Sequence, residues 1–203
     1  PVAFGWLNNW NYANEIPVTA WKGAMSLPRT LSVKKINNEW ILIQKPVEKI
    51  NGERKMIYKE FKLALKNVTR LPVTSQQCEI DAAMSISKDT TAGLRIAAGN
   101  GNYLEIGYDT KKKILYIDRS KTANRSFNKN FEKMNRYEVP YTFTGPLKLR
   151  VFFDKSIAEV FINGGERVFT AQLFPGEKDN GIEFFNNDGY GSLVHCYVYE
   201  LKS

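Results

Sequence analysis

The chain of 203 residues suits one medium domain, or one domain joined to part of another. Hydrophobic residues make up 43% of it and aromatic residues 13%, which excludes a disordered chain, and no apolar run approaches the ~18 residues of a membrane helix. The net charge of +8 is dispersed instead of forming one basic patch, so we expect a solvated surface, with neither nucleic acid nor membrane as a partner.

The first forty residues hold all four tryptophans and begin without Met or a signal-peptide pattern. This opening predicts a piece of a longer chain. Residues 5–13 combine Trp6, Trp10 and Tyr12 with several asparagines. Sugar sites use this mixture, because flat aromatic faces cover the C–H side of a ring and amides bind its hydroxyls. Tryptophans that fill a core explain the pattern equally well, so both interpretations stay open at this point.

The next residues predict a hairpin and then a connector. Residues 31–36 and 40–43 flank the turn-forming segment 37–39. Residues 45–56 are polar and carry Pro and Gly, which is typical of a linker. The piece before the linker is too short to bury a core alone, so we expect it to pack on the rest of the chain.

Short apolar or alternating segments closed by Gly, Asn and Asp turns follow the linker, and helical periodicity is nearly absent. This pattern predicts an all-β, two-sheet antiparallel sandwich. Ala158, Val160 and Ile162 share one apolar face of a strand whose other face is mixed, as expected when one side meets a core. The predicted strands are 93–98, 103–108, 114–118, 147–153, 157–162, 167–173 and 193–201.

Few residues offer metal or nucleophilic chemistry. His195 is the single histidine and lies in the last predicted strand, where a structural role is favoured over a catalytic triad. Cys78 and Cys196 are far apart in sequence, and they either pair or remain buried thiols. One histidine and two distant cysteines argue against zinc, so no metal and no cofactor are expected.

Several carboxylates lie near predicted strands or turns, where a pair of them suits a glycosidase. Asp154 and Asp188 fit turn positions. Glu159 lies mid-strand, and we favour a role as cross-strand partner of a Lys or Arg over a catalytic one. The whole set is Asp118, Asp154, Glu159, Asp179, Glu183 and Asp188.

Two separated segments resemble one known family. Gly-Trp-Leu-Asn-Asn-Trp-Asn-Tyr-Ala at 5–13 and Trp-Lys-Gly-Ala-Met-Ser-Leu-Pro-Arg-Thr-Leu at 21–31 resemble the last propeller blade of glycoside hydrolase family 32, with Lys22 where the family more often has Arg. Residues 149–166 resemble a hairpin of that family's C-terminal sandwich, and 181–185 fit the next strand. The resemblance covers nearly the whole chain in the right order.

The resemblance implies a five-bladed propeller followed by a lectin-like (jelly-roll) sandwich, in an enzyme that hydrolyses β-fructosyl bonds of sucrose, inulin or levan with retention. It implies an aspartate nucleophile, a second aspartate and a glutamate acid/base on earlier blades, in motifs that do not occur here. We therefore expect an inert chain: a blade remnant at 1–44, a linker at 45–56 and the sandwich at 57–203. Asp118-Arg119 and Cys78-Glu79 echo two of the motifs only by chance.

The resemblance assigns Trp6, Asn9 and Trp10 to the wall of the fructosyl pocket, with the sandwich buttressing a propeller that this chain lacks. The partner is then fructan or sucrose, bound by the complete enzyme. The alternative function is a sandwich that itself binds fructan through exposed aromatic residues. For each of these aromatics, packing in the core is the competing explanation. Those aromatics are Tyr103, Tyr108, Phe184, Phe185 and Tyr190. The preferred fructan, exo or endo action and location stay open, with a secreted or periplasmic parent as the expectation.

Overall fold

The computed structural model describes residues 1–201, apart from the side chain of Glu53, and it is almost entirely antiparallel β. The N-terminal part has a three-stranded sheet in the order β1-β4-β5 and a separate β2–β3 pair. Asn37 and Asn38 both have positive φ, as a two-residue hairpin turn requires, so the predicted hairpin is confirmed, with Glu39 already in its second strand. These strands are β1 (Val2–Ala3), β2 (Trp6–Leu7), β3 (Ala24–Met25), β4 (Arg29–Ile36) and β5 (Glu39–Pro46).

The segment predicted as a linker contains the end of β5, a 3₁₀ helix over Glu48–Glu53 and the start of the next strand. Its contacts tie it to the sandwich. Arg54 forms an ion pair with the fully buried Glu79, which also accepts a 2.8 Å hydrogen bond from Arg150 Nε. Arg150 Nη2 in turn donates to Asn51 Oδ1 at 2.6 Å. The connector is therefore held against the sheet below it.

The remaining strands form the predicted two-sheet sandwich. One sheet has the order β13-β12-β11-β10-β17-β8, and the other has β16-β15-β14-β9-β18-β6, with β7 also paired to β18. One apolar core lies between the two sheets. The strands are β6 (Arg54–Phe61), β7 (Ala64–Leu65), β8 (Val68–Thr74), β9 (Gln77–Ile86), β10 (Thr91–Gly99), β11 (Asn102–Asp109), β12 (Ile114–Asp118), β13 (Arg136–Pro140), β14 (Leu147–Asp154), β15 (Ile157–Ile162), β16 (Arg167–Gln172), β17 (Gly181–Asn186) and β18 (Gly191–Leu201).

Strand β15 is buried on both faces, which the sequence pattern did not predict. Val160 and its apolar neighbours face the core, as expected. The mixed face meets the N-terminal part: Glu159 bonds residues preceding and within β4, and the Arg29 guanidinium lies 5.3 Å from the Phe161 ring. Glu159 pairs with an arginine, as predicted, but the partner is not a cross-strand neighbour: Arg29 belongs to another sheet and lies 130 residues away in sequence.

A second, smaller cluster joins the N-terminal part to the sandwich. Tyr12 and Ile16 pack with Phe131 and Phe174. Phe131 belongs to a short helix, α1 (Lys129–Lys133), whose first amides are capped by Asn128. The expectation that the N-terminal piece packs on the rest of the chain is therefore met by contacts on two sides, at β15 and at α1.

Three of the aromatics considered for a sugar platform are core residues. Tyr108 is 6% exposed, and Phe184 and Phe185 are fully buried, so they offer no surface. Tyr103 is half-buried beneath the Arg95 guanidinium, 4.2 Å from its ring, and Tyr190 is exposed. Alternation places Tyr108 and Phe184 on the face towards the core between the two sheets, as the competing interpretation held. Phe185 lies on the opposite face of β17 and is buried there with the Arg95 guanidinium 4.8 Å from its ring. No helix within residues 1–201 is long and apolar enough to cross a membrane.

Candidate functional site

The first of the predicted site residues, Trp6, is fixed by the short β2–β3 ladder. Trp6 pairs with Met25, and the preceding Gly5 exchanges hydrogen bonds with Ser26: Gly5 N donates to Ser26 Oγ at 2.9 Å, and Ser26 N donates to Gly5 O at 2.7 Å. Gly23 lies directly behind the indole, since a Cβ at this position would come within 2.7 Å of Trp6 Nε1. A side chain at position 23 would displace the ring.

Asn9 begins the turn that carries Trp10 away from β2. Its Oδ1 accepts from Asn11 N at 2.9 Å, and its carbonyl accepts from Tyr12 N at 3.0 Å. Asn8 Oδ1 accepts from Asn9 N in the same way, at 2.9 Å. These short-range bonds make the turn rigid and leave the Asn9 Nδ2 donors without an assigned partner among the described residues.

The structure brings all three predicted site residues together. The indoles of Trp6 and Trp10 have their centroids 5.0 Å apart at an interplanar angle of 43°. Trp10 is 84% exposed and Trp6 43% exposed, so neither ring is used to fill the core. Exposed, adjacent indoles are the unusual feature here, because large apolar rings normally gain free energy from burial. We call Trp6, Asn9 and Trp10 the indole site.

A cavity of about 190 Å³ adjoins the indole site, between the N-terminal part and the sandwich. The sandwich contributes three residues: Ile157 of β15 and Thr170 and Gln172 of β16. Gln172 is only 6% exposed, and neither its Oε1 nor its Nε2 has a hydrogen-bond partner among the described residues. All lining residues are uncharged: Trp6, Leu7, Asn8, Asn9, Tyr12, Ile157, Thr170 and Gln172.

Glu159 links the sandwich to the indole site through the backbone. Its Oε1 accepts from Leu27 N at 2.7 Å, and its Oε2 forms an ion pair with Arg29, whose Nη2 also donates to Thr170 Oγ1 at 3.1 Å. Leu27 follows Ser26, which holds Gly5 and thereby Trp6. A buried carboxylate of β15 is therefore linked, through Leu27 and Ser26, to the backbone beside the first indole.

Most of the other candidate carboxylates are engaged elsewhere. Asp118 accepts from Arg136 at 3.2 Å. Although burial acts to raise the Asp118 pKa, hydrogen bonds from Ser120 and the Arg136 charge bring it below its usual value. Asp179 is buried and accepts from Asn102 Nδ2 at 3.1 Å and Gly176 N at 3.0 Å. Asp154 accepts from Gln77 Nε2, and Glu183 pairs with Arg70. Asp188 is fixed through its backbone, whose N–H donates to Thr90 Oγ1.

The histidine and cysteines lie apart from the indole site. His195 is on the outer face of β18, with Nε2 3.6 Å from Asp81 Oδ1 and its ring 5.4 Å from that of Tyr197. Cys78 and Cys196 are free, fully buried thiols, and burial raises the pKa of each to about 12. No group of three or more His, Cys, Asp or Glu placed to hold a metal occurs in the described part of the chain.

Sequence reasoning singled out the three residues of the indole site but not the sandwich residues that line the adjoining cavity. Gln172 stands at the end of a predicted strand, where a polar residue usually faces solvent. Thr170 and Ile157 lie at ordinary strand positions. No local signal distinguishes them, because the wall forms only when β16 meets a segment some 160 residues earlier. A single sequence does not encode that contact as a motif.

Comparison with known proteins places both parts of the chain in one family. Residues 1–46 match the description "Glycosyl hydrolases family 32 N-terminal domain", and residues 47–200 match "Glycosyl hydrolases family 32 C terminal". A levanase of Bacillus subtilis is 30% identical over 98% of this chain, and an extracellular exo-inulinase of Aspergillus niger is 33% identical over all of it. The crystal structure of exo-inulinase from Aspergillus awamori superposes over the whole chain with a TM-score of 0.89 at 30% identity.

The chain spans only part of each of these proteins. It covers 30% of the length of the levanase, 39% of the Aspergillus niger exo-inulinase and 40% of the chain in the exo-inulinase crystal structure.

Proposed function

Because the chain belongs to glycosyl hydrolase family 32, we propose that it is the C-terminal portion of a retaining glycosidase that cleaves β-fructosyl bonds in fructans or sucrose. The observation that carries the proposal is the exposed pair of indoles beside Asn9, on the part that matches the family's N-terminal domain. The levanase and exo-inulinase names of its relatives support fructan as the substrate class.

In this proposal Trp6, Asn9 and Trp10 form part of the wall of a fructosyl pocket. Each indole offers a flat apolar face to the C–H side of a sugar ring. The Asn9 Nδ2 group offers donors to sugar hydroxyls, because only the Oδ1 of that amide is used by the turn. The geometry therefore combines stacking with hydrogen bonding at one edge of the site.

The 203 residues themselves are inert in this proposal. Retaining hydrolysis needs two carboxyl groups about 5–5.5 Å apart across the scissile bond. Glu159, the carboxylate tied to the indole site, already carries an ion pair and a backbone hydrogen bond, which leaves it no role as nucleophile or acid. We assign residues 1–44 to the last blade of a propeller, 45–56 to the linker and 57–203 to the sandwich.

The sandwich acts as a buttress in this proposal. Its contribution to the pocket runs through Glu159, which bonds Leu27 just after β3, the strand that pairs with Trp6, and through the aromatic cluster that packs Tyr12 against α1. A free-standing fructan-binding module is a weaker second candidate. The burial of Tyr108, Phe184 and Phe185 removes the platform it would need, and the 84% exposure of Trp10 is the feature that favours it.

A chimaera tests the proposed function. This chain replaces the aligned segment of the Bacillus subtilis levanase, and release of fructose from levan, inulin and sucrose is measured. We expect the chimaera to hydrolyse at least one fructan and the isolated chain to release none. A folded chimaera that is inactive on all three substrates contradicts the proposal, as does fructose release by the isolated chain.

Substitution of the second indole in the chimaera tests the pocket assignment. Trp10→Ala is expected to reduce kcat/KM about tenfold or more, because a stacking face of the pocket is lost. The matched control is Trp40→Ala, which removes a 71%-exposed tryptophan from β5. Equal losses in the two variants would contradict the assignment.

A further inference from the structure

The outer face of one sheet carries a row of aromatic side chains. Cys196 and Val198 are fully buried in the core between the two sheets. Because side chains alternate along a strand, His195, Tyr197 and Tyr199 point to the other face of β18. Strand positions that face solvent in an antiparallel sheet are usually polar. Three successive aromatic residues at such positions therefore need an explanation.

These three rings and a fourth form a continuous strip. The ring centroid of Tyr197 lies 5.4 Å from that of His195 and 6.2 Å from that of Tyr199. Phe61, which pairs with His195 from the edge strand β6, has its centroid 5.6 Å from that of Tyr197. Phe61 is 50% exposed and the other three residues are partly exposed, so the strip is open to solvent. We call Phe61, His195, Tyr197 and Tyr199 the aromatic strip.

The charged side chains around the aromatic strip are of both signs. Lys59 and Asp81 flank the middle of the strip from opposite sides; Lys59 is exposed, and the Asp81 side chain is 42% exposed. Arg54 and Arg150 both form ion pairs with the buried Glu79. A polyanion such as a nucleic acid requires a cluster of cations on one face. The mixture of signs therefore favours an uncharged ligand.

The chemistry of the strip suits a saccharide. Aromatic rings give flat apolar faces to the C–H side of a sugar, while the phenol hydroxyls, the imidazole and Asp81 offer hydrogen bonds to its hydroxyls. Steps of 5.4 and 6.2 Å between successive rings extend this surface along β18. A row of rings contacts several units of one polysaccharide chain, which a single ring does not.

The strip lies on the same side of the sheet as the N-terminal part. One cross-strand row connects them across four strands: Tyr199, Glu79, Phe152 and Glu159. Neighbouring strands are about 4.8 Å apart, so Tyr199 and Glu159 are separated by about 14 Å along the row. Glu159 bonds Leu27 of the N-terminal part. A chain held on the strip therefore lies beside the part that carries the indole site.

We propose that the aromatic strip binds a neutral polysaccharide chain on the outer face of the sandwich, at a site separate from the indole site. The chain is a fructan, and this identification rests on the proposed function. The rings stack on successive sugar units, and Asp81 accepts from their hydroxyls. None of the five aromatics considered for a sugar platform from the sequence belongs to this strip.

Affinity electrophoresis of the 203-residue chain through gels that contain levan, inulin or soluble starch tests the proposal. Tyr197→Val removes the ring that contacts the other three and keeps a residue type that favours strands. We expect levan or inulin, and not starch, to retard the parent chain, and Tyr197→Val to bind about fivefold more weakly. The matched control is Tyr137→Val, at a 44%-exposed tyrosine on the edge strand of the other sheet, which is expected to migrate as the parent does.

A second measurement needs no variant. His195 is the single histidine of the chain, so its ring C–H signals are identified in an NMR spectrum without further assignment. At fixed pH, these signals are expected to shift with a levan or inulin oligosaccharide and to stay unchanged with a malto-oligosaccharide. Unchanged signals with both fructans would overturn the inference.

Other results of the electrophoresis also overturn it. Retardation by fructan that Trp10→Ala abolishes and Tyr197→Val leaves intact would place the binding at the indole site. A Tyr197→Val variant that is less stable but binds fructan as the parent does would show that the rings serve only the sheet. Equal retardation in starch would overturn the identification of fructan. A parent chain that dimerises through the strip and binds no fructan would make the strip a contact between copies.

The two proposals fail in different ways. If the chimaera hydrolyses fructan while the isolated chain shows no binding at the aromatic strip, only the inference about the strip is wrong. If the folded chimaera cleaves no fructan, the proposed function is wrong, whatever the electrophoresis gives.

Discussion

At the scale of single residues, Glu159 is the clearest link between sandwich and site. Its carboxylate accepts from Leu27 N and pairs with Arg29, and both partners belong to the N-terminal part. Buried ion pairs are strongly coupled, since removal of one partner leaves the other charge in a medium of low dielectric. The first prediction concerns this pair.

Glu159→Ala is expected to lower the free energy of unfolding by about 3–5 kcal/mol, because the Arg29 guanidinium and Leu27 N lose their partner. Urea unfolding measures the loss, and tryptophan fluorescence reports whether the indole site shifts. The control is Glu183→Ala, whose partner Arg70 is 52% exposed; this pair is expected to be worth at most about 1 kcal/mol. Similar losses of stability in both variants would contradict a special role for the contacts of Glu159 with Leu27 and Arg29.

Tyr116 gives a prediction for alkaline pH. Burial, followed by the negative charge of Glu105, raises the pKa of Tyr116 above its usual value of 10.0. The native state therefore keeps the phenol neutral while the unfolded chain ionises. The stabilising contribution is complete below pH 10 and is lost as the pH rises from 10 towards the native pKa.

Tyr116→Phe is expected to flatten the decrease in stability between about pH 9 and about pH 11. It also removes the 2.7 Å hydrogen bond to Glu105, so the variant is less stable at neutral pH. Urea midpoints across that pH range give both effects. If stability decreases as steeply in Tyr116→Phe as in the unsubstituted chain, other groups such as Tyr141 dominate the loss of stability at alkaline pH.

At the scale of elements, strands and tight turns were predictable and packing partners were not. The alternation that defines β14, β15 and β16 is visible in the local sequence. The tight turns are also visible, because Asn-Asn and Asn-Gly pairs tolerate the positive φ that these turns require. The second buried face of β15 was not predictable, because its partner Arg29 lies 130 residues away. Helix α1 was missed because five residues show no periodicity, and only the Asn128 cap signals it.

The β4–β5 turn gives a prediction for one element. Asn38 has φ of 71°, a region that is unfavourable for a β-branched residue. Asn38→Val is expected to cost about 1–2 kcal/mol, and Asn38→Gly is expected to be neutral or slightly stabilising. Thermal unfolding measures both. Ser32→Val, at an exposed position within β4, is the control, and an equal loss there would contradict an effect of turn conformation.

At the scale of the whole molecule, the two thiols report opening of the core. Cys78 and Cys196 are fully buried, and burial raises the pKa of each to about 12, so almost none is thiolate near neutral pH.

The family membership and the all-β class were predictable at this scale, since both rest on long patterns. The cavity beside Gln172 was not, because it exists only between two separately patterned parts.

A thiol reagent near neutral pH is expected to label both cysteines slowly and together, at the rate of global unfolding, and immediately in denaturant. Ser32→Cys places a third thiol on an exposed strand face and is expected to react at once. Fast labelling of Cys78 or Cys196 in the native chain would contradict a closed core.

The position of β18 has a consequence for synthesis of the chain. β18 pairs with both β6 and β9, so the last described strand fills a gap between two strands made much earlier. At ~5–20 residues per second, a ribosome takes about 5–20 s to travel from Ile86 to Gly191. During that time β6 and β9 each have an edge without its final neighbour. Such edges are templates for pairing with another chain, so we expect slower translation to lengthen the time in which pairing between nascent chains competes with folding.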